Sequence, residues 1–252
     1  MKYLYRLYQL LFFLPLFLAT TIVIALVTIV GSFLGNGHFW SYYPGKLWSW
    51  LTIRLLLLPI KVEGRENLVK GQSYVFVANH QGMFDIFLIY GFLNRNFKWM
   101  MKKSLRKIPF VGAACQASHQ IFVDRSSTSA IRHTYDQART MLCNEMSLVV
   151  FPEGARTFTG HMGFFRRGAF LLADELQLPV CPLTINGSFD VMPRMRDYRW
   201  VKWHPLSLTI HKPIAPISQG RENIEYLKNE SYRVVMSGLE KEHQGYVENP
   251  DQ

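Results

Sequence analysis

Ser73-Tyr74-Val75-Phe76-Val77-Ala78-Asn79-His80-Gln81-Gly82-Met83-Phe84-Asp85 is the stretch that decides the architecture of this chain. Its first six residues are rich in β-branched and aromatic side chains, the pattern of a buried strand. Polar Asn79, His80 and Gln81 and then Gly82 end that strand, and Phe84 to Leu93 reads as a helix. A buried strand feeding a helix is the unit of an α/β sheet, and the turn between them is where such folds build sites. The same rhythm continues outward. Strands are predicted at Phe97 to Met101, Gln120 to Val123, Ser147 to Phe151, Val180 to Ile185 and Ser207 to His211. Helices are predicted at Ser126 to Asn144, where Ile131, Tyr135, Ala138 and Leu142 recur at helical spacing, at Phe165 to Leu176, and as a charged C-terminal helix from Glu222 to Glu242.

Upstream the composition changes. From Leu7 to Tyr43 there is no Asp, Glu, Lys or Arg, and about 20 apolar residues suffice to cross the hydrocarbon layer as a helix. The run is too long for a signal peptide and lacks a small-x-small cleavage site. A first helix is predicted at about 7–34. After Gly35-Asn36-Gly37, the Trp- and Leu-rich stretch to Ile60 predicts an interfacial helix at about 47–60, with Arg54 snorkelling. Lys2 and Arg6 before the first helix, and Lys46, Arg54 and Lys61 after it, would share one face if the two helices form a hairpin dipping into one leaflet. The expected architecture is an α/β fold, a central mostly buried sheet flanked by helices, preceded by this membrane-embedded hairpin. Residues 1–61 would be the anchor and 62–252 the α/β domain.

The 252 residues carry 28 Lys and Arg against 18 Asp and Glu, a net charge of +10. Arg95, Lys98, Lys102, Lys103, Arg106 and Lys107 form one acid-free basic run. Arg194, Arg196, Arg199 and Lys202 form another, interleaved with Tyr198, Trp200 and Trp203. Beside an apolar anchor, such clusters fit anionic lipid head groups and make membrane lipids, not nucleic acid, the expected partner. Three widely spaced cysteines exclude a disulfide scaffold and fit a reduced, cytoplasm-facing active site.

Three segments put polar residues where the pattern calls for core. His80 and Asp85 cannot meet within one helix, since five residues at about 100° each place them some 140° apart. They meet if His80 stays in the turn and Asp85 lies in the first helical turn. Asp85 would then fix the imidazole tautomer and leave the other nitrogen as a base. The alternative is a capping aspartate beside a surface histidine. Phe151-Pro152-Glu153-Gly154-Ala155-Arg156-Thr157 follows another buried strand. It offers an acid, a glycine permitting close backbone approach and a guanidinium suited to phosphate; the alternative is a turn with a surface Glu153–Arg156 pair. Ile121-Phe122-Val123-Asp124-Arg125 ends in an acid and an arginine that alone would read as a surface salt bridge.

In this order the segments resemble the membrane glycerolipid acyltransferases that include 1-acyl-sn-glycerol-3-phosphate acyltransferase. The family pattern Asn-His-x-x-x-x-Asp matches Asn79, His80 and Asp85. Gly-x-Ile-Phe-Ile-Asp-Arg matches Ile121, Phe122, Asp124 and Arg125, with His119 in place of glycine. Phe-Pro-Glu-Gly-Thr-Arg-Ser matches Phe151, Pro152, Glu153, Gly154 and Arg156, with Ala155 and Thr157 departing. Lys102, Lys103, Leu105 and Pro109 match a further basic segment, and Leu178-Pro179-Val180-Cys181-Pro182 a hydrophobic one. The resemblance implies transfer of an acyl group from acyl-CoA or acyl carrier protein to a lysophospholipid, foremost 1-acyl-glycerol 3-phosphate, giving phosphatidic acid. It implies no cofactor or metal. His80 would be the base and Asp85 its orienting acid; Lys102, Arg125 and Arg156 would hold phosphate; Glu153, beside Gly154, would bind a glycerol hydroxyl or order Arg156. Another acceptor such as glycerol 3-phosphate, a hydrolase using water, and a non-catalytic scaffold are the competing readings.

Overall fold

The structure is a computed structural model that describes residues 1–35, 37–124, 127–142, 146–194 and 200–245. Among the described residues seven strands form one sheet: β1 (Ile60–Glu63), β2 (Val75–Ala78), β3 (Phe97–Lys102), β4 (Ile121–Val123), β5 (Ser147–Val150), β6 (Val180–Asn186) and β7 (Leu206–Ile210). Their order is β1-β7-β6-β2-β5-β3-β4. β2 is central and parallel to both β5 and β6, while β3 is parallel to β5 and β4. Five strands therefore end at one edge, where the turns that carry the polar segments emerge. β7 runs antiparallel to β6, and β1 pairs parallel with β7 at the rim.

The helices are α1 (Lys2–Tyr8), α2 (Leu14–Leu34), α3 (Gly37–Trp40), α4 (Tyr43–Leu55), α5 (Phe84–Phe92), α6 (Val111–Ala117), α7 (Thr128–Met141), α8 (Gly168–Glu175), α9 (Ser188–Val191) and α10 (Arg221–Gly238). Alternate residues of β2 feed two cores, which is why its sequence shows no polar face. Phe76 and Ala78 pack with Ile53 of α4 and Leu88 of α5. Val75 and Val77 pack on the other side with Ala138 of α7, Ala169 of α8 and Leu227 of α10. The strands and helices predicted from 73 onward lie within a few residues of their expected positions.

The N-terminal helix runs from Lys2 to Leu34 through a π-helical turn at Gln9–Phe13, long and apolar enough to cross a membrane. Leu14, Leu18, Ile22, Val23 and Leu26 point outward, and α4 packs along α2 with Trp48 Nε1 donating to Thr21 Oγ1 at 2.9 Å. Further hydrogen bonds from Tyr5, Tyr8 and Gln9 fix the helix to the rest of the chain. Tyr5 and Tyr8 hydroxyls donate to the carbonyls of Leu56 and Leu55 at 2.7 and 2.6 Å, satisfying acceptors that the end of α4 leaves open. The Gln9 amide exchanges two hydrogen bonds with Val201, at 2.8 and 3.0 Å.

Two boundaries differ from the sequence reading. The first helix begins at Lys2 instead of about 7, because docking of α1 on α4 gives its polar turn partners. The second covers 43–55, not 47–60: Leu57 adopts φ +56, Pro59 bars helix continuation, and Ile60 opens edge strand β1. Helix α6 was not predicted. It is seven residues long, contains Gly112, and owes its formation to packing against α2.

Candidate active site

His80 leaves the sheet at the end of β2, and the residues around it fix where its ring stands. Asn79 extends the ladder after the strand has ended. Its amide donates to Ile185 O and accepts from Ile185 N–H, both at 2.8 Å, standing in for a strand peptide toward β6. Gly82 permits the chain to turn, since a Cβ there would lie 2.4 Å from Ser188 Oγ and 2.5 Å from Ser188 O. Asp85 then falls in the first turn of α5. Its Oδ2 accepts from Gly82 N–H at 2.9 Å and lies 2.7 Å from His80 Nδ1. The carboxylate is fully buried, whereas the imidazole is 14% exposed. With Nδ1–H donating to Asp85, the Nε2 lone pair is the ring's available basic edge. Phe151 stacks on the ring, centroids 3.9 Å apart and planes within 9°.

The second segment folds against the first. Phe151-Pro152-Glu153-Gly154 is a turn closed by Gly154 N–H to Phe151 O at 3.0 Å, with Gly154 at φ +80. This turn sends Glu153 inward, where it is 1% exposed. Glu153 Oε1 accepts from the His80 backbone N–H at 2.6 Å and Oε2 from Gly163 N–H at 2.7 Å. Thr157 N–H donates to His80 O at 3.0 Å. Each carboxylate oxygen thus accepts from a backbone amide, so Glu153 ties the histidine turn to the 160s loop.

Arg156 is half-buried near this turn. Burial holds its guanidinium below the usual range, the Arg194 charge pushes the same way, and Asp85 opposes both. Arg194 Nη1 donates to Arg156 O at 2.7 Å, and its guanidinium lies over the Phe158 ring, 4.2 Å from the centroid. Two guanidinium groups so placed, without an ion pair to either among the described residues, make an electropositive mouth. Lys102 is exposed at the end of β3, on the same strand-end edge. Asp124 is engaged by Lys103 at 2.5 Å. Arg125 lies outside the described residues. His119 has φ +54, a left-handed conformation suited to the glycine of the family pattern.

The acyltransferase family profile matches residues 59–186, half of the chain, and spans these segments. The chain belongs to the acyltransferase family. The chain is 30% identical over 166 residues to the 1-acyl-sn-glycerol-3-phosphate acyltransferase of Saccharomyces cerevisiae, covering 65% of this chain and 54% of that one. It is 35% identical over 147 residues to the human 1-acyl-sn-glycerol-3-phosphate acyltransferase alpha, covering 55% and 52%. It spans about half the length of these curated relatives. It also resembles the crystal structure of the 1-acyl-sn-glycerophosphate (LPA) acyltransferase PlsC from Thermotoga maritima, with TM-score 0.70, 28% identity and coverage of 89% of this chain and 93% of that one.

Packed aromatic rings connect the histidine to the wall of a cavity. Phe151 stacks on Trp99 at 5.7 Å, and Trp99 lines a cavity of about 80 Å³ with Ala25, Thr28, Trp48, Ala114 and Cys115. Burial pushes the Cys115 thiol up to about 11 and raises that of Cys181 further, so neither offers a thiolate at neutral pH. Sequence reasoning missed the roles of Asn79, Phe151 and Arg194 here. Arg194 was read with the head-group cluster; its signal lies in a contact 38 residues away in sequence. Arg196, Tyr198 and Arg199 of that cluster lie outside the described residues.

Proposed function

We propose that the chain moves a fatty acyl group from an acyl thioester, acyl-CoA or acyl carrier protein, to the free hydroxyl of 1-acyl-glycerol 3-phosphate, giving phosphatidic acid. The observation that carries this reading is the 2.7 Å His80–Asp85 contact at the strand-end edge of the sheet; the relatives' names suggest the substrate class. His80 Nε2 takes the hydroxyl proton as the oxygen attacks the thioester carbonyl. The C–S bond breaks, the imidazolium returns the proton to the departing thiolate, and Asp85 stabilises the imidazolium meanwhile. Arg156, with Lys102 and Arg125, holds the acceptor's phosphate. The apolar N-terminal helix keeps the domain at the cytoplasmic side of a membrane, where lysolipid and thioester donor meet.

The test is the purified protein in detergent with a panel of lysolipid and glycerol 3-phosphate acceptors and both donor classes, products read by mass. Release of free fatty acid at the same rate without acceptor would make it a hydrolase. Arg156→Ala should raise the acceptor KM roughly ten- to hundredfold, since a charge-assisted bond is worth about 1.5–3 kcal/mol, and leave the donor KM near its original value. Arg194→Ala should act in the same direction by freeing the Arg156 backbone. Equal effects on both substrates would remove the phosphate assignment.

The cavity beside Trp99 is the seat we assign to the far end of the acyl tail. Ala114→Phe should shift donor preference toward shorter chains, because each methylene excluded loses about 0.8 kcal/mol, roughly fourfold in affinity. Competition between thioesters of different length reads this directly; an unchanged length profile places the tail elsewhere.

A further inference from the structure

We infer that Lys103-Ser104-Leu105-Arg106-Lys107-Ile108-Pro109-Phe110 is a second lipid contact, a loop that seats on an anionic membrane surface beside the N-terminal helix. The inference rests on the membrane reading above and adds a site to it.

Every residue from 103 to 110 is exposed. Single apolar side chains at a surface are ordinary, but Leu105, Ile108 and Phe110 stand 37%, 43% and 47% exposed within one short loop. Their backbone is not relaxed. Val111 N–H donates to Pro109 O at 2.6 Å across Phe110, whose φ of +60 and ψ of −53 make a γ-turn, a rare and strained conformation for a bulky residue. The turn presents the Phe110 ring outward at the entry to α6.

The charged residues of the loop itself are all basic. Lys103, Arg106 and Lys107 interleave with the apolar side chains. The Lys103 ammonium is braced by Asp124 at 2.5 Å, and the Arg106 guanidinium lies over the Phe122 ring at 4.6 Å. Lys103 and Arg106 are thereby anchored to neighbouring elements while Leu105, Ile108 and Phe110 stay exposed among them, a mixture of cations and apolar side chains that suits a bilayer's head-group region. Other members of the basic run face inward: Lys98 is buried with Nζ on Ser118 O at 2.7 Å, and Arg95 donates to Leu68 O at 2.7 Å.

Position selects lipid as the occupant. Helix α6 follows the loop directly and packs on α2. Ile24 and Thr28 of α2 enclose the same cavity as Val111 and Cys115 of α6, so the loop lies beside the part of the chain that has no charged residue from Leu7 to Tyr43. A bilayer that takes up α2 meets this loop next.

The experiment uses the full chain in vesicles of phosphatidylcholine and phosphatidylglycerol in equal parts, with Cys115, Cys143 and Cys181 replaced by alanine. An environment-sensitive fluorophore is placed in turn on Ile108→Cys, on Val23→Cys in α2 and on Ser237→Cys, exposed on α10. Nitroxide-bearing lipid should quench the labels at 108 and 23 but not at 237. Replacing phosphatidylglycerol by phosphatidylcholine should weaken quenching at 108 and leave 23 unchanged. Quenching at 23 with none at 108 overturns the second contact while the membrane reading stands; quenching at neither overturns both. Equal quenching at 108 on neutral and anionic vesicles overturns the head-group part. The unaltered chain gives a check independent of cysteine replacement. Anionic vesicles should slow trypsin cleavage after Arg106 and Lys107 by an order of magnitude relative to Arg221 and Lys241, and an equal change at all four sites overturns the proposal.

Discussion

Replacing His80 with alanine is expected to lower kcat by about 10²- to 10⁴-fold, the usual contribution of a positioned base, while the protein still folds. The ring is 14% exposed and rests against Phe151, so its loss opens no deep cavity. The backbone of the turn is held independently, by Glu153 at the His80 N–H and Thr157 at the His80 carbonyl. Thermal unfolding should therefore change little and substrate KM values should stay near their original levels. Asp85→Asn separates orientation from bulk. Both Asp85 contacts fall on Oδ2, so an amide NH₂ in its place gives up the Gly82 bond and donates to Nδ1, which moves the imidazole proton to Nε2 and blocks the basic edge. A fall in kcat comparable to that of His80→Ala is expected. Single-turnover rates with a saturating acceptor measure both, and unreduced turnover in His80→Ala would end its assignment as the base.

The legibility of this chain depended on how local each cause was. β2 could be read because both of its faces are buried in separate cores, which leaves an unbroken apolar word in the sequence. β1 could not: it has four residues, alternates in burial, and exists because β7, far along the chain, pairs with it. The His80–Asp85 contact could be anticipated because strand, turn and helix start fall within a few residues, and periodicity rules out a meeting within one helix, which leaves the folded-back turn as the way for the two to touch. The direction of Glu153 was not foreseeable. An acid beside a glycine and an arginine looks solvent- or ligand-facing, and only the turn geometry with Gly154 at positive φ reveals that it points at two buried amides. The contact of Arg194 with the second segment was hidden for a related reason. The arginine's sequence neighbours are the aromatic and basic residues of an interface, whereas its partner is the Arg156 carbonyl.

Glu153→Ala is expected to destabilise the fold and lower kcat together, with the acceptor KM nearly unchanged. The substitution leaves the His80 and Gly163 amides without acceptors in a site that is 1% exposed. Each buried unsatisfied donor costs about 1–3 kcal/mol, and the lost bonds were to a charged group, so a total loss of roughly 2–6 kcal/mol follows. That is a large share of the 5–15 kcal/mol typical of a folded domain, and it should appear as a marked drop in unfolding temperature. The surviving folded molecules lose the tether that sets the height of the His80 turn, and displacement of a base by even about 1 Å can cost on the order of 10²-fold in rate. Glu153→Gln discriminates further. Its amide oxygen can serve one of the two N–H groups, but its NH₂ faces the other donor to donor, so an intermediate loss of stability and of kcat is expected. A glutamate that instead bound the acceptor's glycerol would give the opposite signature, an intact unfolding temperature with a raised acceptor KM. Differential scanning calorimetry beside acceptor-dependent kinetics on the same two variants separates a tether from a ligand contact, because only the tether links stability to kcat.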